Sequence, residues 1–290
     1  MIVVTAPTGQ IGSQVVQDLL KADAPVRVVA RDPARLAPGV AERVEVVQGS
    51  HGDPSVAAAA LEGADAVFWL VMADPHAATV EDAYTGFTRP VLPALARAGR
   101  VVSVSALGRG TPVAGRAGHV TGSLAQDDLI AATGVPFRAL AMPSFMDNVR
   151  RQAASIKEQG VLHGPYVPGL PLPAVATRDI AAVATDLLLD DSWTGSGEVP
   201  VIGPEDLTWT EIAAIISDVL GRPVRYEQTP PGVFKANMLR FGNSEAIAQG
   251  LLDMALAKNN GLDHVTPGVP RTPTTFRQWC LDNLAPSIRP

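Results

Sequence analysis

The chain has 290 residues, of which 47% are hydrophobic and 18% charged, enough apolar surface to order a large α/β unit and too much for a disordered protein. A formal net charge of −6 argues against nucleic acid as the main partner, because neutralising phosphates takes clustered Lys and Arg. Cys280 is the single cysteine, which excludes an intramolecular disulfide and any multi-cysteine metal site and suits a reducing compartment.

The sequence opens on a strand-like Met1-Ile-Val-Val-Thr5 with no basic and apolar leader ahead of it, so a cytoplasmic protein is expected. Short β-branched runs at 2–5, 26–30, 44–48, 66–71, 101–105 and 137–141 read as strands, and 10–21, 54–61, 81–98 and 123–133 read as the helices between them. The run Ala66-Val-Phe-Trp-Leu-Val71 is continuously hydrophobic, which implies a strand covered on both faces. At 66–73 the most apolar stretch is far below the roughly 18–20 residues of a membrane helix, and no membrane partner is expected. The fold class is therefore α/β, a doubly wound parallel sheet. Beyond residue 148 the alternation weakens. Gly and Pro crowd 160–173, predicting a loop over a cleft, followed by a helix at 177–189, a strand at 199–202, a helix at 208–220 and a helical region at 231–258. Residues 1–150 thus read as a nucleotide-binding Rossmann unit and 151–290 mostly as a small α-rich C-terminal lobe on the substrate side, with 177–202 returning a helix and strand to the first unit.

Val4-Thr-Ala-Pro-Thr-Gly-Gln-Ile-Gly12 follows a strand and opens a helix. Small residues there let backbone approach a pyrophosphate, and the helix start offers free N–H groups. At the end of the second strand, a carboxylate would grip a ribose 2′-hydroxyl and an arginine would accommodate a 2′-phosphate. Arg31 comes first and Asp32, beside Pro33, is explained as a helix cap, so NADP(H) is preferred to NAD(H).

Thr5-Ala-Pro-Thr-Gly-Gln-Ile-Gly12, Val28-Val-Ala-Arg-Asp-Pro-Ala-Arg35, Ala64-Asp-Ala-Val-Phe68, Ser103-Val-Ser-Ala-Leu-Gly108 and Pro143-Ser-Phe-Met-Asp-Asn148, then Arg178-Asp-Ile-Ala-Ala182 and Gly221-Arg-Pro-Val-Arg-Tyr226, resemble in order the motifs of the NmrA-like branch of the atypical short-chain dehydrogenases. The resemblance implies members that are reductases or nucleotide-sensing regulators. It puts the phosphate loop on Thr5, Thr8, Gly9, Gln10 and Ile11, the 2′-phosphate arginine on Arg31, the ribose-side segment on Val71 and Met72, and the nicotinamide flanks on Ser103, Ser105, Pro143, Ser144 and Phe145, with Ser103 and Ser105 equally readable as hydroxyls bonded within the sheet end. Departures are Ala6 for the first glycine of the turn, Ser50 for an Asp after the third strand, and Asp128 where several family reductases carry a Lys. No Tyr has a Lys four residues later, so the usual Tyr-Lys pair is absent.

The five histidines have no metal-site spacing and no Gly-x-Ser-x-Gly elbow is present, so no metal is expected. Candidate catalytic groups are Ser105, His119 in the loop after the fifth strand, whose ordinary pKa suits acid work near neutrality, and Tyr166 in the Gly-Pro-rich loop. Asp127 and Asp128 read as a solvated helix face, the alternative being that one of them reaches the cleft. Phe234, Met238, Leu239, Phe241, Leu251, Leu252 and Met254 suggest an apolar wall. The leading expectation is an NADPH-dependent reductase, monomeric or homodimeric, acting on a small apolar carbonyl, enone or quinone-like molecule. The alternatives are an NADP(H) sensor without turnover and a redox-neutral enzyme.

Overall fold

A computed structural model describes residues 1–288. Its strands are β1 (Ile2–Thr5), β2 (Val26–Ala30), β3 (Glu45–Gln48), β4 (Ala66–Trp69), β5 (Val101–Ala106), β6 (Phe137–Met142), β7 (Ser144–Phe145), β8 (Val161–Gly164), β9 (Leu172–Val175), β10 (Ser196–Pro200), β11 (Asp206–Leu207) and β12 (Arg225–Gln228). Its α-helices are α1 (Gly12–Lys21), α2 (Pro54–Leu61), α3 (Leu92–Leu95), α4 (His119–Ala131), α5 (Ala153–Gln159), α6 (Thr177–Leu189), α7 (Trp209–Leu220), α8 (Pro231–Arg240), α9 (Glu245–Asn259), α10 (Phe276–Trp279) and α11 (Ala285–Ile288).

Seven strands form one parallel sheet in the order β10-β6-β5-β4-β1-β2-β3. Side chains alternate across it with period two. Val4, Val28, Phe68, Val102 and Leu140 turn to the face packed by α1 and α6, while Val3, Val29, Val67, Trp69 and Val101 turn to the face packed by α2, α3 and α4. Both faces are covered, as the unbroken apolar run in β4 predicts. The order reverses at β1, which has β2 on one side and β4 on the other. That reversal is the switch point where doubly wound sheets hold ligands beyond the carboxyl ends of their strands.

Several predicted elements are corrected. The expected helix at 81–98 is broken into a π turn at Asp82–Gly86, a 3-10 turn at Arg89–Val91 and the short α3, because Pro90 and Pro93 remove two ladder N–H groups. β4 stops at Trp69, since the Leu70 N–H donates to the Thr5 hydroxyl instead of continuing the ladder (2.9 Å). The helical region at 231–258 is two helices. Gly242 (φ +90°) ends the first excursion and the Ser244 hydroxyl caps α9 by accepting the Ile247 N–H (3.2 Å). The Gly-Pro-rich segment holds β8, paired in parallel with β12, besides irregular loop.

The smaller lobe carries its own core of Met146, Ile156, Leu162, Ile212, Phe276 and Trp279. It also bears the three-stranded β11-β9-β7 sheet, so it is less purely helical than the sequence suggests. Between its pieces, the chain sends α6 and β10 back to the main sheet, where Ser196 to Pro200 pair with Phe137 to Ala141.

Candidate functional site

At the carboxyl end of β1 the chain turns sharply through Ala6, whose φ of +49° lies in the left-handed region. An alanine there takes the conformation that a glycine holds without strain. The turn is so tight that a Cβ on Gly12 would stand 2.2 Å from the Ala6 carbonyl oxygen, whereas one on Gly9 would meet the same atom at 3.3 Å. Ala6→Gly is therefore expected to stabilise the protein by about 0.5–1 kcal/mol, strain relief being partly offset by unfolded-state entropy, with thermal unfolding as the measurement. α1 then starts with no side-chain cap and no acidic residue in its first turn. The amides of Gln10 and Ile11 donate to no protein acceptor among the described residues. A small-residue turn with free amides at a helix start is built for a phosphate group, and the residues present fit a dinucleotide pyrophosphate.

A cleft of about 500 Å³ opens beside this turn, lined by Thr8, Gly9, Gln10, Arg150, Thr177 and Arg178 among others. The amide of Gln14 donates to the Thr177 hydroxyl (3.2 Å), which joins the starts of α1 and α6. Arg178 is tied to Asp282 (2.7 Å), and Asp147 accepts the Thr177 N–H (3.1 Å). The Arg150 guanidinium has no hydrogen-bond or ion-pair partner among the described residues, which leaves its charge available to an anion in the cleft. Neither Arg150 nor Thr177 was legible as a site residue, since each lies far along the chain from the turn it joins.

Arg31, at the end of β2, is exposed and makes no ion pair among the described residues. Asp32 has a use within the protein, accepting the Ala34 N–H (3.2 Å) as the cap of a 3-10 turn. On the same side His51, which the sequence left unread, sets its Nε2 3.0 Å from the Leu70 carbonyl and packs edge-on against Trp69 and Phe87 at 4.9 Å each. Burial, with the Arg31 charge adding to it, lowers its pKa to about 4. A neutral His51 leaves Arg31 as the cation at that corner. Val71 is half-buried and Met72 is 70% exposed at the end of β4, open to whatever lies over the strand ends.

Three of the expected site residues are engaged within the protein, and the placement of His119 in a loop is corrected. The Thr5 hydroxyl donates to the Phe68 carbonyl and accepts the Leu70 N–H, both at 2.9 Å, so it clamps β1 to β4 and shapes the cleft without a free group to offer an occupant. Ser103 is fully buried within the sheet, between Trp69 and Ala139 in register, and does not reach the strand ends. His119 is the first residue of α4, not a loop residue. It is buried because Gly118, at φ +54°, lets α9 come so close that a Cβ there would lie 2.0 Å from the Gly250 carbonyl. Its Nε2 sits 3.2 Å from the Ile247 carbonyl and its Nδ1 3.2 Å from the Tyr84 hydroxyl. Burial lowers its pKa, so it is neutral near pH 7 and is no reservoir of protons.

At the β5 and β6 ends the structure does collect hydroxyl groups. Ser105 hydrogen-bonds Asp127 of α4, and this overturns the reading of Asp127 as solvated, since Asp127 is buried while its neighbour Asp128 is exposed and pairs with Arg109 (2.8 Å). Pro143 is buried, and Ser144 and Phe145 form the half-buried β7. The Tyr166 phenol is the hydrogen-bonding neighbour of Ser144, and its ring stacks on Trp209 at 5.0 Å. Burial, reinforced by the Asp263 charge, pushes its pKa up to about 12.

Of the proposed apolar wall, Leu252 is buried, Phe234 and Met238 are half-buried, and Phe241 is 78% exposed. A larger groove of about 840 Å³ lies between α4 and α9, along Thr121, Gly122, Ala125, Asp253 and Leu256. These α4 positions oppose the sheet-facing stripe of Ser123, Asp127 and Ile130, and the groove is also lined by Val80, Val113 and Arg116 from the segments that follow β4 and β5. Among the described residues no group of His, Cys, Asp and Glu is placed to hold a metal, and no helix is long and apolar enough to cross a membrane.

Comparison with known proteins agrees with the fold. A profile of NAD(P)H-binding proteins matches residues 7–191, and that of the NmrA-like family matches residues 128–276. A (4-alkanoyl-5-oxo-2,5-dihydrofuran-3-yl)methyl phosphate reductase of Streptomyces griseus is 34% identical over 98% of both chains, and an NAD(P)H azoreductase of Xenophilus azovorans is 30% identical over 98% of both. The fold overlays an NADPH-dependent quinone oxidoreductase of Escherichia coli, crystallised with NADPH, with a TM-score of 0.75 at 21% identity, over 99% of this chain and 98% of that one. The chain belongs to the NmrA-like family of NAD(P)H-binding Rossmann proteins.

Proposed function

We propose that the protein is an NADPH-dependent reductase of a small apolar conjugated carbonyl, an enone or quinone-like compound. The observation that carries the cofactor reading is the phosphate cradle at the switch point with an unpaired Arg31 at the neighbouring strand end. Gln10 and Ile11 would hold the pyrophosphate through their amides, with Thr8 and Arg150 beside them, and Arg31 the 2′-phosphate. Val71, Met72, Pro143, Ser144 and Phe145 would bound the nicotinamide half. The bound reduced cofactor supplies a hydride. The chain's own part is to orient the substrate, exclude water and furnish a proton from a hydroxyl at the β5 or β6 end. Relatives named as reductases at 34% and 30% identity support turnover, and the first of them is named for a dihydrofuran that bears an oxo group, an alkanoyl group and a methyl phosphate, of which the oxo and alkanoyl groups favour a conjugated carbonyl.

Calorimetry should find NADPH bound more tightly than NADH, with the preference falling by roughly 10- to 100-fold in Arg31→Ala, the loss expected for one charge-assisted phosphate contact. Equal affinities in the wild type would refute the 2′-phosphate assignment. Following NADPH oxidation over a panel of enones, quinones and aldehydes tests the reaction. Stoichiometric binding without turnover of any of them would decide for a nucleotide sensor.

A further inference from the structure

Asp127 is 2% exposed, on the α4 stripe that faces the sheet. One carboxyl oxygen accepts a hydrogen bond from the Ser105 hydroxyl, and the other has no partner among the described residues. The groups around this carboxyl are few. Ser105 comes from β5, Arg109 from the loop after β5, Asp128 from α4 itself and Glu198 from β10. Arg109 stands 4.0 Å from the bonded Asp127 oxygen, but it is already committed to Glu198, to Asp128 at 2.8 Å and to the Leu124 carbonyl at 3.3 Å. One guanidinium therefore serves three carboxylates, and the buried one is the least costly to neutralise with a proton. Burial accordingly pushes Asp127 up to about 7, the negative charges of Glu198 and Asp128 reinforcing it and the Ser105 bond and Arg109 opposing it.

We propose that Asp127 stores the proton of the reduction and delivers it through Ser105. The inference rests on the reductase reading. Ser105 is the last hydroxyl of β5 before the carboxyl edge of the sheet, where the substrate would lie. In the reduction the Ser105 hydroxyl would turn from Asp127 to the substrate oxygen and pass its proton there, and the Asp127 O–H would protonate Ser105 Oγ, the hydride being what a bound reduced cofactor would supply. The substrate gains a hydride and a proton, Ser105 is restored, and Asp127 is left as a carboxylate. Once product leaves, water entering the cleft returns the proton by the same two atoms. The other candidates are weaker sources, since His119 is neutral and Tyr166 holds its proton to about pH 12.

Ser105 would be the catalytic group and Asp127 the positioning acid behind it. Asp127→Asn and Ser105→Ala break the relay at separate atoms. Each is expected to lower kcat at least ~100-fold with little change in KM, the usual scale of lost acid catalysis, and to erase the fall of kcat above neutrality. Asp127→Glu should restore part of both. A second readout needs no cofactor. Infrared titration of the free protein should show one protonated carboxyl that ionises near pH 7 and is absent from Asp127→Asn. An Asp127 already ionised at pH 6, or an Asp127→Asn protein with wild-type kcat and pH profile, overturns the relay. A wild type that turns over nothing would overturn the reductase reading and the relay with it, and the titration tells that failure apart from an ionised Asp127.

Discussion

Gly9→Val is expected to lose dinucleotide affinity by at least ~100-fold while the protein stays folded. A Cβ at this position meets only the Ala6 carbonyl, at 3.3 Å, so the turn gives by a few tenths of an ångström. The valine methyl groups then project where a pyrophosphate must approach the Gln10 and Ile11 amides, and those contacts cannot be made around them. Gly12 offers no such separation of effects, because a side chain there collides with backbone at 2.2 Å and the turn itself must move. Calorimetry with NADPH, beside a thermal melt to establish folding, checks the expectation. A folded Gly9→Val protein with undiminished affinity would move the cofactor away from this turn.

Lys258→Met is expected to destabilise the protein by about 3–5 kcal/mol, the scale for stripping a buried ion of its partner. Lys258 on α9 and Asp263 just beyond it have side chains 5% and 2% exposed, with Nζ 2.6 Å from one carboxylate oxygen and the other oxygen unpartnered among the described residues. Methionine replaces the aliphatic stem and leaves the buried Asp263 carboxylate without its partner. Adding Asp263→Leu should recover most of the loss, since the pair's attraction is largely offset by its desolvation. Urea unfolding of the single and double variants measures this. A single variant within about 1 kcal/mol of wild type would mean that water reaches Asp263 and that the pair is not buried in solution.

The sheet was legible because its strands are buried on both faces and read as runs of Val, Ile, Phe and Trp. The turn at Thr8 to Gly12 was legible because backbone approach demands small residues in fixed order after a strand. The break in the 81–98 helix was written in Pro90 and Pro93 but outweighed by the Ala- and Leu-rich composition around them. Asp127 hid behind Asp128. Neighbours on a helix stand about 100° apart, so one of two adjacent carboxylates faces the sheet while the other meets water, and Ile130 three residues on marked the inward stripe. Arg150, Thr177 and the burial of His119 depend on contacts across long stretches of chain, and no local pattern encodes them.

The pairing of β10 with β6 bears on how the protein is made. The edge strand of the main sheet arises at Ser196–Pro200, after the chain has built part of the other lobe. At roughly 5–20 residues per second, a ribosome needs on the order of 3–12 s to pass from the end of β6 at Met142 to the end of β10 at Pro200. Until then β6 has an open edge beside an unfinished core, a surface that invites pairing with another nascent chain. Folding of the first 150 residues is thus held back by sequence that follows them, and a chaperone that shields β6 during that interval would raise the yield of native protein more than one acting at the N-terminal strands.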